Sequence, residues 1–161
     1  MTAQVPDSCT FEGRKYAISS WDGDTACIPT NEELNVETVC RSTAIADGRI
    51  NHFAVENGRL YLFKVELSLP DGFDRSRIAG RRQETLIRYE PMTRVDKTGR
   101  HGFLKEWRFD FLVLDNCMIP FTGDLDLEWP CGDAWESPLS DEGDAEKLRT
   151  ETLTFVEGRL T

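Results

Sequence analysis

The feature that most constrains this chain is an alternation of apolar and polar residues with period two, cut at short intervals by turn residues. Successive side chains of an extended strand point to opposite faces, so this pattern suits half-buried strands and not a helix, whose apolar stripe has a 3.6-residue period. In residues 121–129, Leu125, Leu127 and Trp129 share one parity and Asp124, Asp126 and Glu128 the other, which gives one buried and one wet face. In residues 103–114, Phe103, Trp107, Phe109, Phe111 and Val113 share a parity against Glu106, Arg108 and Asp110. That segment is expected to form the centre of the core.

Turn chemistry divides the rest. Residues 14–20 read as a strand between Phe11-Glu12-Gly13 and Trp21-Asp22-Gly23-Asp24. Thr30 with Glu33 makes a capping box, so a helical turn is expected there. Asn57-Gly58 supplies the positive φ angles of a type I′ turn and joins strands at 50–55 and 60–69. Residues 70–83 read as a long surface loop. A second hairpin follows, with arms at 84–95 and 103–114 and with Pro91 suited to an edge or a bulge. Residues 130–145 read as loop, 144–150 as a helical turn and 152–156 as a closing strand. The fold expected is mostly β: an antiparallel β-sandwich or flattened barrel of seven or eight strands with one or two short helices. It forms a single domain over 1–161, with residues 1–10 and 158–161 as loose ends.

A chain of 161 residues is long enough to bury a core without covalent staples. No stretch approaches the roughly 20 apolar residues of a membrane-spanning helix. The first residues, Met1 to Ser8, have neither a basic start nor an apolar stretch, so no secretory signal is expected and the protein is placed in the cytoplasm. Five cysteines at irregular gaps without a Cys-x-x-Cys pair argue against a disulfide framework or a zinc site, and reduced, buried thiols are expected. The net charge of -10 argues against nucleic acid and anionic membrane as partners. That charge is uneven. Residues 1–74 hold 6 basic and 12 acidic side chains, residues 75–109 hold 10 and 4, and residues 110–161 hold 3 and 13.

Ser42-Thr43-Ala44, Gly48, the strand through Phe53 and Asn57-Gly58-Arg59-Leu60-Tyr61-Leu62 resemble a group of uncharacterised bacterial proteins in the spacing of a Ser-Thr-Ala segment and a turn into Leu-Tyr-Leu. Phe121-Thr122-Gly123-Asp124-Leu125 looks like the Phe-Ser-Gly-x-Leu strand of that group, and residues 153–160 look like its terminal strand. The group's aromatic, Arg and Tyr are replaced here by Ala46, Asp47 and Arg49, and its Trp by Phe53. The resemblance implies a bacterial cytosolic β domain and supplies no mechanism.

Few residues suggest chemistry. Asp124, Asp126 and Glu128 form a carboxylate row that could hold a cation, set against the simpler reading of a charged strand face that discourages aggregation. His101 reads as a hairpin-loop residue, while His52, opposite in parity to Phe53 and Val55, is placed to face a pocket or water. Ser42 and Thr43 lack a nucleophile motif. Arg75, Arg77, Arg81 and Arg82 stand in a glycine-containing loop, where guanidinium forks grip carboxylates or phosphates. The competing reading is that they neutralise the acidic C-terminal third. No cofactor is expected. Two functional readings stand: a non-enzymatic, acidic protein-binding domain of the immunity or inhibitor type for a basic protein partner, and a small-ligand-binding domain or small enzyme with a pocket of Arg, His and carboxylates.

Overall fold

The alternation and its turns resolve into nine strands in the computed structural model, which describes residues 5–40, 45, 47–131 and 149–161. In chain order these are β1 Ser8–Phe11, β2 Arg14–Gly23, β3 Arg49–Glu56, β4 Arg59–Leu67, β5 Arg82–Asp96, β6 Gly99–Val113, β7 Gly123–Trp129, β8 Arg149–Val156 and β9 Arg159–Leu160. A helix α1, Asn31–Leu34, lies between β2 and β3, and a 3₁₀ turn, Arg75–Ile78, precedes β5. Among the described residues no helix is long and apolar enough to cross a membrane.

Of the two β architectures expected, the chain adopts the barrel. Seven strands close in the order β3-β1-β2-β7-β8-β9-β4, with β4 pairing back onto β3, and β6 and β5 continue the sheet outward from β4. Every pairing is antiparallel except that of β1 with β3, which is parallel, with Ser8 opposite His52 and Thr10 opposite Ala54. Parallel neighbours need a long crossover. Here the chain returns from β1 to β3 by way of β2 and the segment after it, whose described part carries α1 and delivers Leu34 and Val36 into the core. The capping box forms as expected: the Glu33 amide donates to the Thr30 hydroxyl at 3.2 Å, and the Thr30 amide donates to the Glu33 carboxylate at 3.5 Å. Asn57 (φ 52°) and Gly58 (φ 72°) make the turn that joins β3 to β4.

Inward-facing residues from all sides fill the barrel. Cys9, Phe53, Leu60, Leu62, Val65, Leu112, Phe121, Leu125 and Phe155 are wholly buried. Trp21 stands edge-on to Phe53 and Phe121, with ring centroids 5.1 and 4.9 Å apart. In β4 the inward parity changes between Leu62 and Val65, because His52 pairs with Lys64 and Phe53 with Leu62, leaving Phe63 as the extra residue of a β-bulge. All five cysteines are free; Cys9 is buried, Cys27, Cys117 and Cys131 are half-buried and Cys40 is exposed. Burial pushes the Cys9 thiol up to about 12, so it stays protonated at neutral pH.

Three expectations need correction. The chain ends are not loose: Ser8 to Phe11 form β1 between β2 and β3, and Arg159–Leu160 form β9, which pairs with both β8 and β4. Residues 1–4 lie outside the described residues. Residues 103–113 are not the centre of the core. Their inward residue is Leu112, of the opposite parity to the aromatic row, and from Phe103 to Arg108 the strand is exposed or half-exposed. Arg149 and Thr150 belong to β8 and not to a helical turn, the rest of which lies at 144–148, outside the described residues, as does the expected loop from residue 132 on.

A half-buried polar cluster borders the interior. Asn51 and Arg49 pair with the inward-facing Val65 and Leu67, and Asp7 accepts from the Asn51 amide at 2.9 Å and from its side chain at 3.1 Å. The Arg49 guanidinium donates to Asn51 at 2.7 Å and to Asn31 at 3.1 Å, while its Nη2 has no partner among the described residues. Burial raises the Asp7 carboxyl above its ordinary 3.8, against the lowering effect of the Asn51 hydrogen bonds. A carboxyl raised on folding contributes stability that is complete below its unfolded pKa and is lost as pH rises through the folded value. The stability of wild type relative to Asp7→Asn is therefore expected to fall as pH rises from about 4 towards neutrality. Urea denaturation across that range checks this, and an unchanged difference would refute it.

Candidate functional site

Among the described residues, the hairpin of β5 and β6 is the one large element that leaves the barrel. Only the root of β6 is held by it, through Asp110 to Val113 paired with Leu67 to Lys64, while β5 and β6 pair with each other over their full fifteen residues. Beyond the root the two strands form an arm without a sheet behind it. A two-stranded ribbon is marginal in water unless a face is covered. Yet six of the ten exposed large hydrophobic residues in the described chain belong to this arm.

Pairing sorts them by face. Leu86 lies opposite Phe109, Arg88 opposite Trp107 and Met92 opposite Phe103, on the side that turns back towards the barrel. On the outer side Ile87 (44% exposed), Tyr89 (62%), Val95 (70%) and Leu104 (66%) line up with Pro91, which lies directly opposite Leu104. β5 is the outermost strand, where a residue without an amide hydrogen is tolerated, and Pro91 interrupts the free edge against addition of a further strand. Cations flank the apolar row. Residues 88–105 carry Arg88, Arg94, Lys97, Arg100 and Lys105 against Glu90 and Asp96. The remainder of the chain therefore holds the whole net charge of -10 and three charges more. Trp107 donates to Glu90 at 2.9 Å and carries the Lys105 ammonium 3.9 Å above its ring, so the half-buried indole is held within the arm itself.

Where the arm turns back, it encloses a cleft of about 310 Å³ against the outer faces of β1 to β4. The barrel side supplies Ser8 and Thr10 from β1, Lys15 from β2, His52 from β3, and Phe63, Lys64 and Glu66 from β4. Leu86, Arg88, Phe109 and Phe111 come from the arm. The bulge at Phe63 puts that ring and the neighbouring Lys64 on the same side, which strict alternation would forbid. Lys64 lies 2.9 Å from Glu84 and 4.6 Å from the centre of the Phe111 ring. Glu84 in turn is held below its ordinary value by the hydrogen bond and charge of Lys64. The Ser8 hydroxyl, itself buried, meets His52 Nδ1 at 2.6 Å and fixes the imidazole on its strand.

The residues singled out from sequence are dispersed over the barrel. His52 lies in the cleft. The arginines of the 75–82 loop do not converge: Arg75 pairs with Asp110 at 3.2 Å, Arg77 with Glu37 at 3.0 Å, and Arg82 with Glu84 at 3.9 Å. Arg81 donates to the Leu34 carbonyl at 3.0 Å, at the end of α1. These contacts tie the loop to the crossover and to the arm's root, and only Asp110 among the partners belongs to the acidic C-terminal third. Asp124, Asp126 and Glu128 stand on the outer face of β7, away from His52. Asp126 accepts from Ser20 at 2.6 Å and Thr152 at 2.7 Å, which lowers its pKa, and Asp124 accepts from Thr154 at 2.7 Å. Among the described residues no group of His, Cys, Asp or Glu is arranged to hold a metal ion. His101 is a strand residue of β6, beside Thr98 and Asp96, and not a loop residue. Ser42, Thr43, Ala44 and Ala46 lie outside the described residues.

Sequence reasoning missed Lys15, Lys64 and Arg88, which belong to three strands far apart in the chain. One signal was legible in part: Leu104 falls on the parity opposite to the aromatic row, and the register puts Ile87 and Tyr89 on its face, so the second hairpin is apolar on both faces. Comparison of the chain with protein-family models, curated proteins and solved structures gives no significant match.

Proposed function

We propose that this is a non-enzymatic binding protein that engages a protein partner through its projecting arm. The observation that carries the reading is the row of Ile87, Tyr89, Pro91, Leu104 and Val95, apolar and exposed on the outer face of the ribbon. Contiguous exposed apolar surface rimmed by polar groups marks interaction sites, and Tyr with Arg is the residue pairing that most often anchors them. The arm's cations favour an acidic rim on the partner. A basic partner, the complement expected from net charge, would have to dock on the barrel, where Phe63, Met118, Val156 and Val39 are the exposed large hydrophobics and come from separate elements. The five free thiols accord with work in a reducing cytoplasm.

The test compares wild type with the Tyr89→Asp, Leu104→Asp double variant as baits in lysate of the native organism. The two side chains touch no core residue, so the variant is expected to keep the wild-type melting temperature. It should lose the protein retained by wild type, and that protein should wash off wild type as salt is raised. Retention of the same protein by both baits would overturn the proposal.

A further inference from the structure

The cleft under the arm has a chemistry of its own, separate from that of the arm's outer face. We infer that it is a binding site for a small organic anion: one carboxylate or phosphate head on an apolar body.

Three features carry this. Cations come from both walls, Lys15 and Lys64 from the barrel and Arg88 from the arm, and Glu66 is the one carboxylate of the lining. Between them stand apolar surfaces from both walls, Phe63 on one side and Leu86 and Phe111 on the other, so a fully hydrated ion would leave aromatic faces uncovered. A volume of about 310 Å³ is at the small end of the range for ligand pockets, about 300–1,000 Å³, and matches a molecule of modest size. The site is also built. His52 is locked by Ser8, and Lys64 is aimed across the cleft by Glu84 and the Phe111 ring, so two of the polar groups are held before a ligand arrives. Held polar groups among apolar walls are what fixes the orientation of a ligand with a charged end. The anionic head would take the Lys64 ammonium in part from Glu84 and meet the Arg88 guanidinium on the wall that the arm supplies.

Because the ligand touches both walls, it links the arm to the barrel beyond the four-residue root. This inference does not rest on the arm's partner, and its test leaves the outer face untouched.

The probes are decanoate below its micelle-forming concentration and phenyl phosphate, with decanol and inorganic phosphate as half-ligands that lack the charge or the body. Binding is read from amide chemical shifts of the full chain by NMR and from calorimetry. Saturable binding of decanoate, of phenyl phosphate or of both, at least tenfold tighter than either half-ligand, is expected, with shifts at His52, Lys64, Leu86 and Phe111. Decanoate against decyl phosphate, which share one body, identifies the head group. The Lys64→Met, Arg88→Met double variant should bind the same probe at least tenfold more weakly while keeping its amide spectrum elsewhere. Equal binding of decanol and decanoate, or of inorganic and phenyl phosphate, or affinity unchanged in the double variant, would overturn the inference.

Discussion

Gly123→Ala is expected to destabilise the protein by on the order of 3–5 kcal/mol, combining a disallowed backbone conformation with overpacking. Gly123 (φ 141°) pairs with Gly23 where β2 and β7 converge, and a Cβ placed on it would collide with the Asp22 carbonyl oxygen. Backbone atoms cannot swing aside as a side-chain end can, so the two strands must separate. Gly58→Ala is the control. It shares a positive φ, 72°, but its Cβ would meet nothing within 4 Å, so it is expected to cost only about 1 kcal/mol. Denaturant unfolding of both variants decides the matter, and equal losses would show that strand convergence at Gly123 has no energetic weight.

Phe121→Ala is expected to cost about 3–5 kcal/mol, and Trp107→Ala only about 1 kcal/mol, although Trp is the larger side chain. Phe121 has no exposed surface and packs against Trp21 and Phe155, so truncation leaves a cavity that a closed barrel cannot easily collapse. Trp107 is half-buried on the arm, and water takes the space it leaves. Urea midpoints measured at constant m-value test the ordering. A larger loss for Trp107 would place the arm in the core after all.

The aromatic row of β6 shows where sequence reading reaches its limit. Alternation correctly marks Phe109, Phe111 and Val113 as one apolar face, but period two carries no information about what that face meets. Here Phe109 and Phe111 line the cleft under the arm, while the barrel core takes Leu112 of the other parity. Local chemistry was legible wherever a turn or cap is specified by neighbours, as at Asn57-Gly58 and at Thr30 with Glu33. The parallel pairing of β1 with β3 was not, because four residues at the N-terminus show no periodicity to read, and their place is set by partners more than forty residues away. The same holds for the candidate site. His52 was visible as a polar residue in an apolar strand, but its neighbours Lys15, Lys64 and Arg88 are brought to it by barrel closure and by the bulge at Phe63, neither of which has a local sequence signature.

The arm's length changes how this protein's acidity should be understood. From the last root pair, Asp110 with Leu67, eleven residue steps lead along β6 to Gly99, about 36 Å of strand at roughly 3.3 Å per residue. Charges in physiological salt are screened over about 8 Å, so what a partner meets at the end of the hairpin is set by the charges beside it and not by the sum over the chain. Arg94, Lys97 and Arg100 stand there against Asp96. A chain with an isoelectric point near 4.7 thereby carries, at the end of this hairpin, the local charge of a cationic peptide.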